Sequence, residues 1–310
     1  MISRRNIRIK VMQTLYTLDS ISKDANPNDA VHLLNKQLDQ TRKLLVYLIY
    51  FTTEVARYAE KDALKKASKH LPSADDLNIN TKISGNELLW KIFEMPSFAS
   101  AVGETKPAQI IDENLLRKTY EALIASEEYH DYIGVLARDK KNEKNILEFI
   151  FTNLMLPNEN FISHIEEFFI NWDDDAEMMQ SLVLNFLNKP AQQNFYEILS
   201  KEKWEFAKSL LLTVLDKPEQ TLELIKPKLK NWDADRIAAL DLILLQMGVC
   251  EFLYFDTIPT KVTINEYIDL AKAYSTQQSG QFVNGLLDNI HKELTAENKI
   301  EKRNFKDSNV

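Results

Sequence analysis

The sequence contains little cysteine, glycine or proline, and each shortage narrows the class of protein that it can encode. Cys250 is the single cysteine and cannot form an internal disulfide. Because it lies in an apolar helical run, we expect it to be a small buried hydrophobic residue in a reducing compartment. With 6 glycines and 9 prolines in 310 residues, the chain favours long regular elements over many tight turns.

Long apolar segments are also missing. The longest purely apolar run covers residues 44–51, whereas a helix needs about 20 apolar residues to span a bilayer. The first twenty residues lack the apolar core and the cleavage site of a secretion signal. We therefore expect a soluble, cytoplasmic protein that does not enter a membrane.

Sequence patterns of common catalytic centres are absent too. There is no phosphate-binding GxxxxGK loop, no GxSxG turn and no dinucleotide fingerprint. Glu127 and His130 have the spacing of one helix of a di-iron site, but no second copy accompanies them. The histidines show no zinc-like pairing with cysteine. We predict a binding protein that is not an enzyme and carries no metal or other cofactor.

Charge and periodicity define the fold class. The net charge is −8, so any RNA site must be a local basic patch rather than a property of the whole surface. Apolar residues recur at helical spacing along most of the chain, and no segment alternates as a strand does. Residues 44–51 have β propensity, but the pattern on both sides of them is helical. The prediction is all-α, with residues 97–107 as a loop and a short helix near 192–200.

The N-terminus carries a concentration of positive charge. Arg4, Arg5, Arg8 and Lys10 all precede the first acidic residue, Asp19. Apolar residues at helical spacing follow them, which predicts a basic arm that continues into a packed helix.

A short sequence motif occurs twice, at a spacing of sixty residues. The letters NWDDD at residues 171–175 return as NWDAD at residues 231–235, and both lead into apolar helices. One explanation is a duplicated unit. Repeated capping chemistry is simpler, because an Asp at a helix start accepts from free N–H groups and complements the helix dipole.

Residues 258–290 contain the least generic residue choices in the chain. Thr263 and Glu266 have the spacing of a capping box at the start of a helix. A polar turn at residues 275–279 separates this helix from a second one. Gly285 lies inside the second helix, where glycine costs about 1 kcal/mol relative to alanine, so we expect a close backbone approach there.

The stretch IPTKVTINEYIDLAK followed by FVNGLLD resembles the C-terminal signature of the NusB family. The start RRNIRIKVMQTLY resembles the arginine-rich start of that family, with Tyr16 at its tyrosine position, and Glu251 lies in a matching helix before the signature. The resemblance covers roughly residues 1–20 and 229–294. It implies a NusB-like helical bundle with additional inserted helices. We expect an N-terminal part at 1–110, a helical insertion of unknown role at 111–228, the signature helices at 229–294 and a polar tail at 295–310.

The resemblance also implies a function and a site. We expect an antitermination factor that binds boxA-type single-stranded RNA together with the ribosomal small-subunit protein NusE, within the RNA polymerase antitermination complex that supports rRNA transcription. A cationic N-terminal tip beside the last helices would clamp the unpaired RNA. The implied RNA-binding residues are Arg4, Arg5, Arg8, Lys10, Tyr16, Lys261, Gln278, Phe282 and Asn284. The implied partner-binding residues are Tyr16, Asp235 and Asp241.

Two features keep alternatives open. Family members usually carry an acidic residue before the serine of the polar turn and basic residues after it, whereas this chain has Gln277-Gln278 and Gly280-Gln281. Phe282 is interpreted equally well as a core residue or as a base-stacking residue. The alternatives are a helical protein-binding scaffold without RNA affinity, and an RNA-binding accessory domain of an rRNA methyltransferase system, which would need a methyl-donor-binding α/β domain.

Overall fold

A computed structural model of the chain describes residues 2–21, 26–229 and 237–303. Within these ranges the regular elements are all helical and no strand occurs, which confirms the all-α prediction. Residues 44–51 lie inside the 41-residue helix α2, Pro27–Ala67. Their β propensity is overridden because the apolar positions continue at helical spacing on both sides. No helix in the described ranges is long and apolar enough to cross a membrane.

The chain divides into two compact units. The start of the long helix α2 belongs to one unit and the rest of it belongs to the other. The middle unit consists of Leu38–Ile198 with Met1–Ile2, and the terminal unit consists of Ser3–Gln37 and Leu199–Val310. The terminal unit therefore combines the two ends of the sequence.

The middle unit is built from short helices that begin at polar capping residues. Asp112, Ser126, Asp139 and Asn158 each accept hydrogen bonds from free backbone N–H groups at a helix start, which removes the cost of leaving those donors unpaired. Besides the second part of α2, its helices are α3 (Ala74–Leu77), α4 (Glu87–Phe93), α5 (Pro96–Thr105), α6 (Glu113–Ile124), α7 (Glu127–Gly134), α8 (Lys140–Phe149, extended by a π turn at Ile150–Met155), α9 (Glu159–Phe168) and α10 (Trp172–Asn188).

A buried carboxylate links three of these helices. Glu143 on α8 accepts from Tyr132 Oη on α7 at 2.9 Å and from the backbone N–H of Glu87 on α4 at 2.6 Å. The Arg138 guanidinium donates to both carboxylate oxygens at 3.1 Å. A buried charge with this many partners is compensated, so it specifies how the helices meet.

Two local predictions are wrong in this unit. Residues 97–107, predicted as a loop, contain α5, because Pro96 begins a helix and Gly103 lies within it. Lys106 then adopts a left-handed conformation with φ 49° and ends the helix. The helix predicted near 192–200 is a single 3₁₀ turn at Pro190–Gln192 followed by irregular chain.

The last three helices of the terminal unit pack against one another, and the N-terminal helix α1 packs against α11 and α13. The single cysteine, Cys250, is fully buried in this core as predicted, and burial raises the pKa of its thiol to about 12. The helices of this unit, besides the start of α2, are α1 (Arg4–Ile21), α11 (Lys201–Asp216), α12 (Pro218–Ile225), α13 (Ala239–Tyr254), α14 (Thr260–Tyr274) and α15 (Ser279–Ala296).

The repeat at a spacing of sixty residues extends far beyond the five-residue motif that identifies it. Adding 60 to the residue numbers of α8 with its π turn, and of α9, gives the positions of α11 and of α12 with its 3₁₀ turn at Lys226–Lys228. The same offset pairs buried positions: Ile146 with Phe206, Ile150 with Leu210, Ile165 with Ile225, and Phe169 with Leu229. This correspondence favours a duplicated helical hairpin over repeated capping alone. Residues 231–235 lie outside the described residues.

The close backbone approach expected at Gly285 is not found. A Cβ built on Gly285 meets nothing within 4 Å in the described structure, and the residue is exposed. A Cβ built on Gly248 in α13 would instead lie 2.9 Å from Leu287 Cδ2. The tight contact between α13 and α15 therefore requires Gly248.

Alanine at these two glycines should have opposite effects on stability. Gly285→Ala should stabilise the protein by about 0.5–1 kcal/mol through helix propensity. Gly248→Ala should destabilise it by about 1 kcal/mol, because overpacking a buried contact costs about 1–3 kcal/mol and exceeds that gain. Urea unfolding followed by circular dichroism measures both, and equal stability of the two variants would contradict the packing described.

Candidate nucleic-acid interface

The N-terminal helix is more deeply buried than a basic arm would be. The side chains of Arg8 and Lys10 are only 2% and 1% exposed, and Lys10 is engaged in contacts within the protein. Burial extends around α1, because its buried residues occupy consecutive positions rather than one stripe: Ile7, Arg8, Ile9, Lys10, Val11, Met12, Thr14 and Leu15. The exposed cations of α1 are therefore confined to its first turn.

Arg8 forms the central ion pair of the terminal unit. Its Nε donates to Glu251 Oε1 at 2.7 Å and its Nη2 donates to Glu251 Oε2 at 3.0 Å, which is the paired geometry that suits a guanidinium and a carboxylate. Glu251 is fully buried. A second carboxylate, Glu266, lies 3.4 Å from Arg8 Nη1. Arg8 therefore cannot reach an RNA phosphate without leaving two carboxylates behind.

Two hydroxyl groups from α14 complete the shell of Glu251. Thr263 Oγ1 donates to Oε2 at 3.0 Å and Tyr267 Oη donates to Oε1 at 2.9 Å. This corrects the capping box expected for Thr263 and Glu266. The helix begins one turn earlier, at Thr260, so both side chains are free to serve the buried ion pair instead.

The electrostatics of this cluster favour the charged form of Arg8. Burial alone would lower the pKa of Arg8, but the hydrogen bonds and the charge of Glu251 raise it above its ordinary value. Burial and then the charge of Glu251 raise the pKa of Tyr267 well above its usual range, so its hydroxyl stays a donor. The pair is therefore a permanent structural link between α1 and α13.

Lys302, near the end of the described chain, contacts the C-terminal end of α13, close to the buried ion pair. Lys302 Nζ donates to the backbone carbonyls of Glu251 at 2.8 Å and of Phe255 at 2.7 Å. These acceptors lie at the C-terminal end of α13, where helix carbonyls lack intrahelical partners. Burial lowers the pKa of Lys302.

Arg4 and Arg5 remain accessible, with side chains 41% and 40% exposed. Arg4 Nη2 lies 2.9 Å from Glu202 Oε1 on α11, and its guanidinium lies over the Phe206 ring at 5.6 Å. Arg5 Nη1 lies 3.8 Å from Asp269 Oδ2 on α14. The N-terminal tip therefore lies beside α14, as the predicted clamp requires.

An exposed stripe of α14 extends from this contact. Lys261, Asn265, Asp269 and Lys272 are all exposed and follow one another at intervals of three or four residues, so they share one face of the helix. Lys261 was among the predicted site residues, whereas Asn265 and Lys272 were not. Their helical spacing from Lys261 was the signal that could have found them.

Lys272 connects this stripe to the start of α15. A Cβ built on Gly280 would lie 2.6 Å from Lys272 Cγ, so the stem of this lysine passes directly over the backbone of Gly280. The glycine that departs from the usual family pattern thus makes room for a cation contributed by another helix.

The predicted residues of α15 do not all share this edge. Gln278 and Asn284 are exposed, and Asn284 follows Gly280 by four residues, on the same helix face. Phe282 is half-buried and engaged in contacts within the protein. Since residues two positions apart face different sides of a helix, Phe282 points away from the Gly280 edge.

The predicted partner-binding residues are in different situations. Tyr16 is 48% exposed near the end of α1. Asp241 is only 6% exposed and accepts from Ser279 Oγ at 2.7 Å, so it ties the first turn of α13 to the first turn of α15 instead of forming a surface charge. Asp235 lies outside the described residues. Among the residues that the structure describes, no cluster of His, Cys, Asp and Glu is arranged to hold a metal ion.

Comparison with known proteins identifies relatives of this chain. A model of the NusB family matches residues 167–292. The transcription antitermination protein NusB of Finegoldia magna is 41% identical over 97 residues, which is 31% of this chain and 71% of that protein. The protein of the same name from Methylacidiphilum infernorum is 35% identical over 131 residues, covering 42% of this chain and 86% of the relative. The one from Listeria monocytogenes is 35% identical over 113 residues, covering 36% and 88%. No solved structure matches the chain.

The described residues form an all-α protein whose terminal unit carries a local edge of accessible cations. The chain belongs to the NusB family, whose members are transcription antitermination factors and not enzymes. The family match begins at residue 167, within the segment 111–228 that was expected to be an insertion. The bounds of that insertion stay a prediction.

Breaking the buried pair from one side should destabilise the protein strongly. Arg8→Met leaves Glu251 buried without a cation, which should cost about 3–5 kcal/mol. The double variant Arg8→Met/Glu251→Met should lose less than the sum of the two single variants, because it removes both charges. Urea unfolding gives all three values.

Arg5→Met is the matched control, since its ion pair is exposed and should contribute less than about 1 kcal/mol. If Arg8→Met costs no more than Arg5→Met, the buried pair does not hold α1 in place.

Proposed function

We propose that this chain acts in transcription antitermination by binding boxA-type single-stranded RNA together with the ribosomal small-subunit protein NusE, and so supports rRNA transcription in the cytoplasm. Family membership supports the general role, and the binding partners are our inference. The observation that carries the RNA part is the edge of exposed cations on the terminal unit of a chain whose net charge is −8. We define this edge by the partly exposed side chains of Arg4 and Arg5 and by the exposed side chains of Lys261, Lys272, Asn265 and Asn284. Gln278 is exposed on the side of α15 that carries Phe282, four residues further on.

The composition of the edge suits an unpaired strand. Guanidinium and ammonium groups bind phosphates, and carboxamides both donate to and accept from exposed bases. Arg8 and Lys10 are left out of the proposed contact set because both are buried. Phe282 stays in it only as a half-buried residue on another side of α15, so stacking on this ring is a secondary expectation.

The RNA proposal predicts a defined salt dependence. Four phosphate contacts should give a slope of about −3 in a plot of log affinity against log salt, at about 0.7 per contact on single strands. Arg4→Gln and Arg5→Gln should each weaken binding and make that slope shallower by about 0.7. Fluorescence anisotropy with a labelled boxA-like strand at several KCl concentrations measures both quantities.

Lys299→Gln is the matched control for these variants. Lys299 is exposed and ion-paired like Arg4, at 2.7 Å from Glu297, but it follows the C-terminal end of α15. Affinity and slope should stay at the wild-type values. Equal losses in the control and in the arginine variants would show that bulk charge, not the edge, governs binding.

A second surface of the terminal unit supports the proposal that the chain binds NusE. The side chains of Leu15 and Leu18 line a groove of about 470 Å³ together with Val214 of α11 and Ile243 of α13. Tyr16 is exposed on another side of the same helix. A mainly apolar groove and an exposed aromatic residue on the same helix have the residue types found at interface centres.

The partner proposal is tested at Tyr16. Tyr16→Ala should weaken capture of purified NusE at least tenfold, because tyrosines that become buried in an interface are frequent binding hot spots. Tyr196→Ala is the matched control, since Tyr196 is 54% exposed in the middle unit. Isothermal titration of both variants decides the point, and an unchanged affinity for Tyr16→Ala would remove Tyr16 from the interface.

The helical scaffold without RNA affinity is the second candidate. Two observations favour it: Arg8 and Lys10 are buried, and both exposed arginines already contact carboxylates. A binding signal with no salt dependence, or with none of the edge cations involved, would select the scaffold.

A further inference from the structure

Two exposed carboxylates accompany the exposed arginines of α1. Glu202 lies in the first turn of α11 and Asp269 lies in the exposed stripe of α14, so the contacts at 2.9 and 3.8 Å are made by two separate helices. The side chains of Glu202 and Asp269 are 79% and 55% exposed. Neither is required to neutralise a buried charge, unlike Glu251 beside Arg8.

Carboxylate and phosphate oxygens accept hydrogen bonds from the same guanidinium N–H groups. We infer that Glu202 and Asp269 are internal competitors of the RNA phosphates, which hold Arg4 and Arg5 in the free protein and set its affinity for single-stranded RNA. This inference rests on the proposed function and names a regulating feature of the same edge.

The position of each carboxylate fits competition. Asp269 lies between Lys261 and Lys272 on one helix face, so a strand that contacts both lysines must pass the Asp269 carboxylate. Glu202 follows the N-cap Ser200 by two residues. When RNA takes Arg4, the helix N-terminus still stabilises the Glu202 charge, so releasing the arginine costs only the exposed ion pair itself.

Removal of either competitor should strengthen binding. Glu202→Gln and Asp269→Asn should each lower the Kd for a boxA-like strand by about two- to fivefold, the range expected for an exposed ion pair. The gain should shrink as KCl rises, because salt screens exposed charges. It should be the same for a scrambled strand of equal length, since phosphate contacts carry no sequence information.

A double variant separates competition from general repulsion. In the Arg4→Gln background, Glu202→Gln should give no further gain, because the arginine for which the carboxylate competes is gone. Glu297→Gln removes an equal charge beyond α15, where Glu297 pairs with Lys299, and it should leave the affinity unchanged.

The outcomes distinguish this inference from the proposed function. If the wild-type protein binds RNA through Arg4 but Glu202→Gln and Asp269→Asn do not tighten binding, the competition is overturned and the proposed function stands. A gain that persists in the Arg4→Gln background, or that Glu297→Gln reproduces, also overturns it. If neither the wild type nor the variants bind RNA, the proposed function fails and the competition fails with it. Binding by the two carboxylate variants alone would support the competition in its strongest form.

Discussion

The ion pair between Arg8 and Glu251 is the interaction on which the terminal unit depends. It joins residues 243 positions apart, and it brings the start of α1 onto α13, where Thr263 and Tyr267 of α14 complete the shell. Because an unpaired buried charge is so costly, the ion pair fixes the positions of these helices relative to one another. Arg4 lies beside α11 and Arg5 lies beside α14, and both positions depend on this ion pair one turn further along α1.

The middle unit contains a comparable arrangement. Glu143 is buried and accepts hydrogen bonds from Arg138 and Tyr132, just as Glu251 accepts them from Arg8 and Tyr267. Together with the sixty-residue correspondence between α8–α9 and α11–α12, this describes a chain with two helical hairpins of one design. The buried polar clusters, however, lie at non-equivalent positions, so each unit has its own way of selecting a single packing.

The proposed interface reconciles an acidic protein with an acidic ligand. With a net charge of −8, long-range attraction cannot deliver RNA to the terminal unit, so binding must rely on a few closely placed cations. Two of these cations come from the first turn of α1 and two from α14. Such a site depends on tertiary packing for its existence, because its cations come from helices far apart in the sequence.

The amino-acid sequence by itself determined the helical class, most helix positions and the family, because apolar periodicity and a specific signature are local properties of the chain. It also identified Lys261, Gln278 and Asn284, which the structure leaves exposed, and Arg4 and Arg5, which it leaves partly exposed. Only the tertiary structure decided that Arg8, Lys10 and Asp241 are buried, and that Lys272 reaches Gly280. A charged residue looks the same in a sequence whether it faces solvent or a buried partner, and that choice is made by side chains far away along the chain. Gly103 misled the prediction of α5 for a related reason: glycine marks a turn only when its surroundings do not already supply a helix.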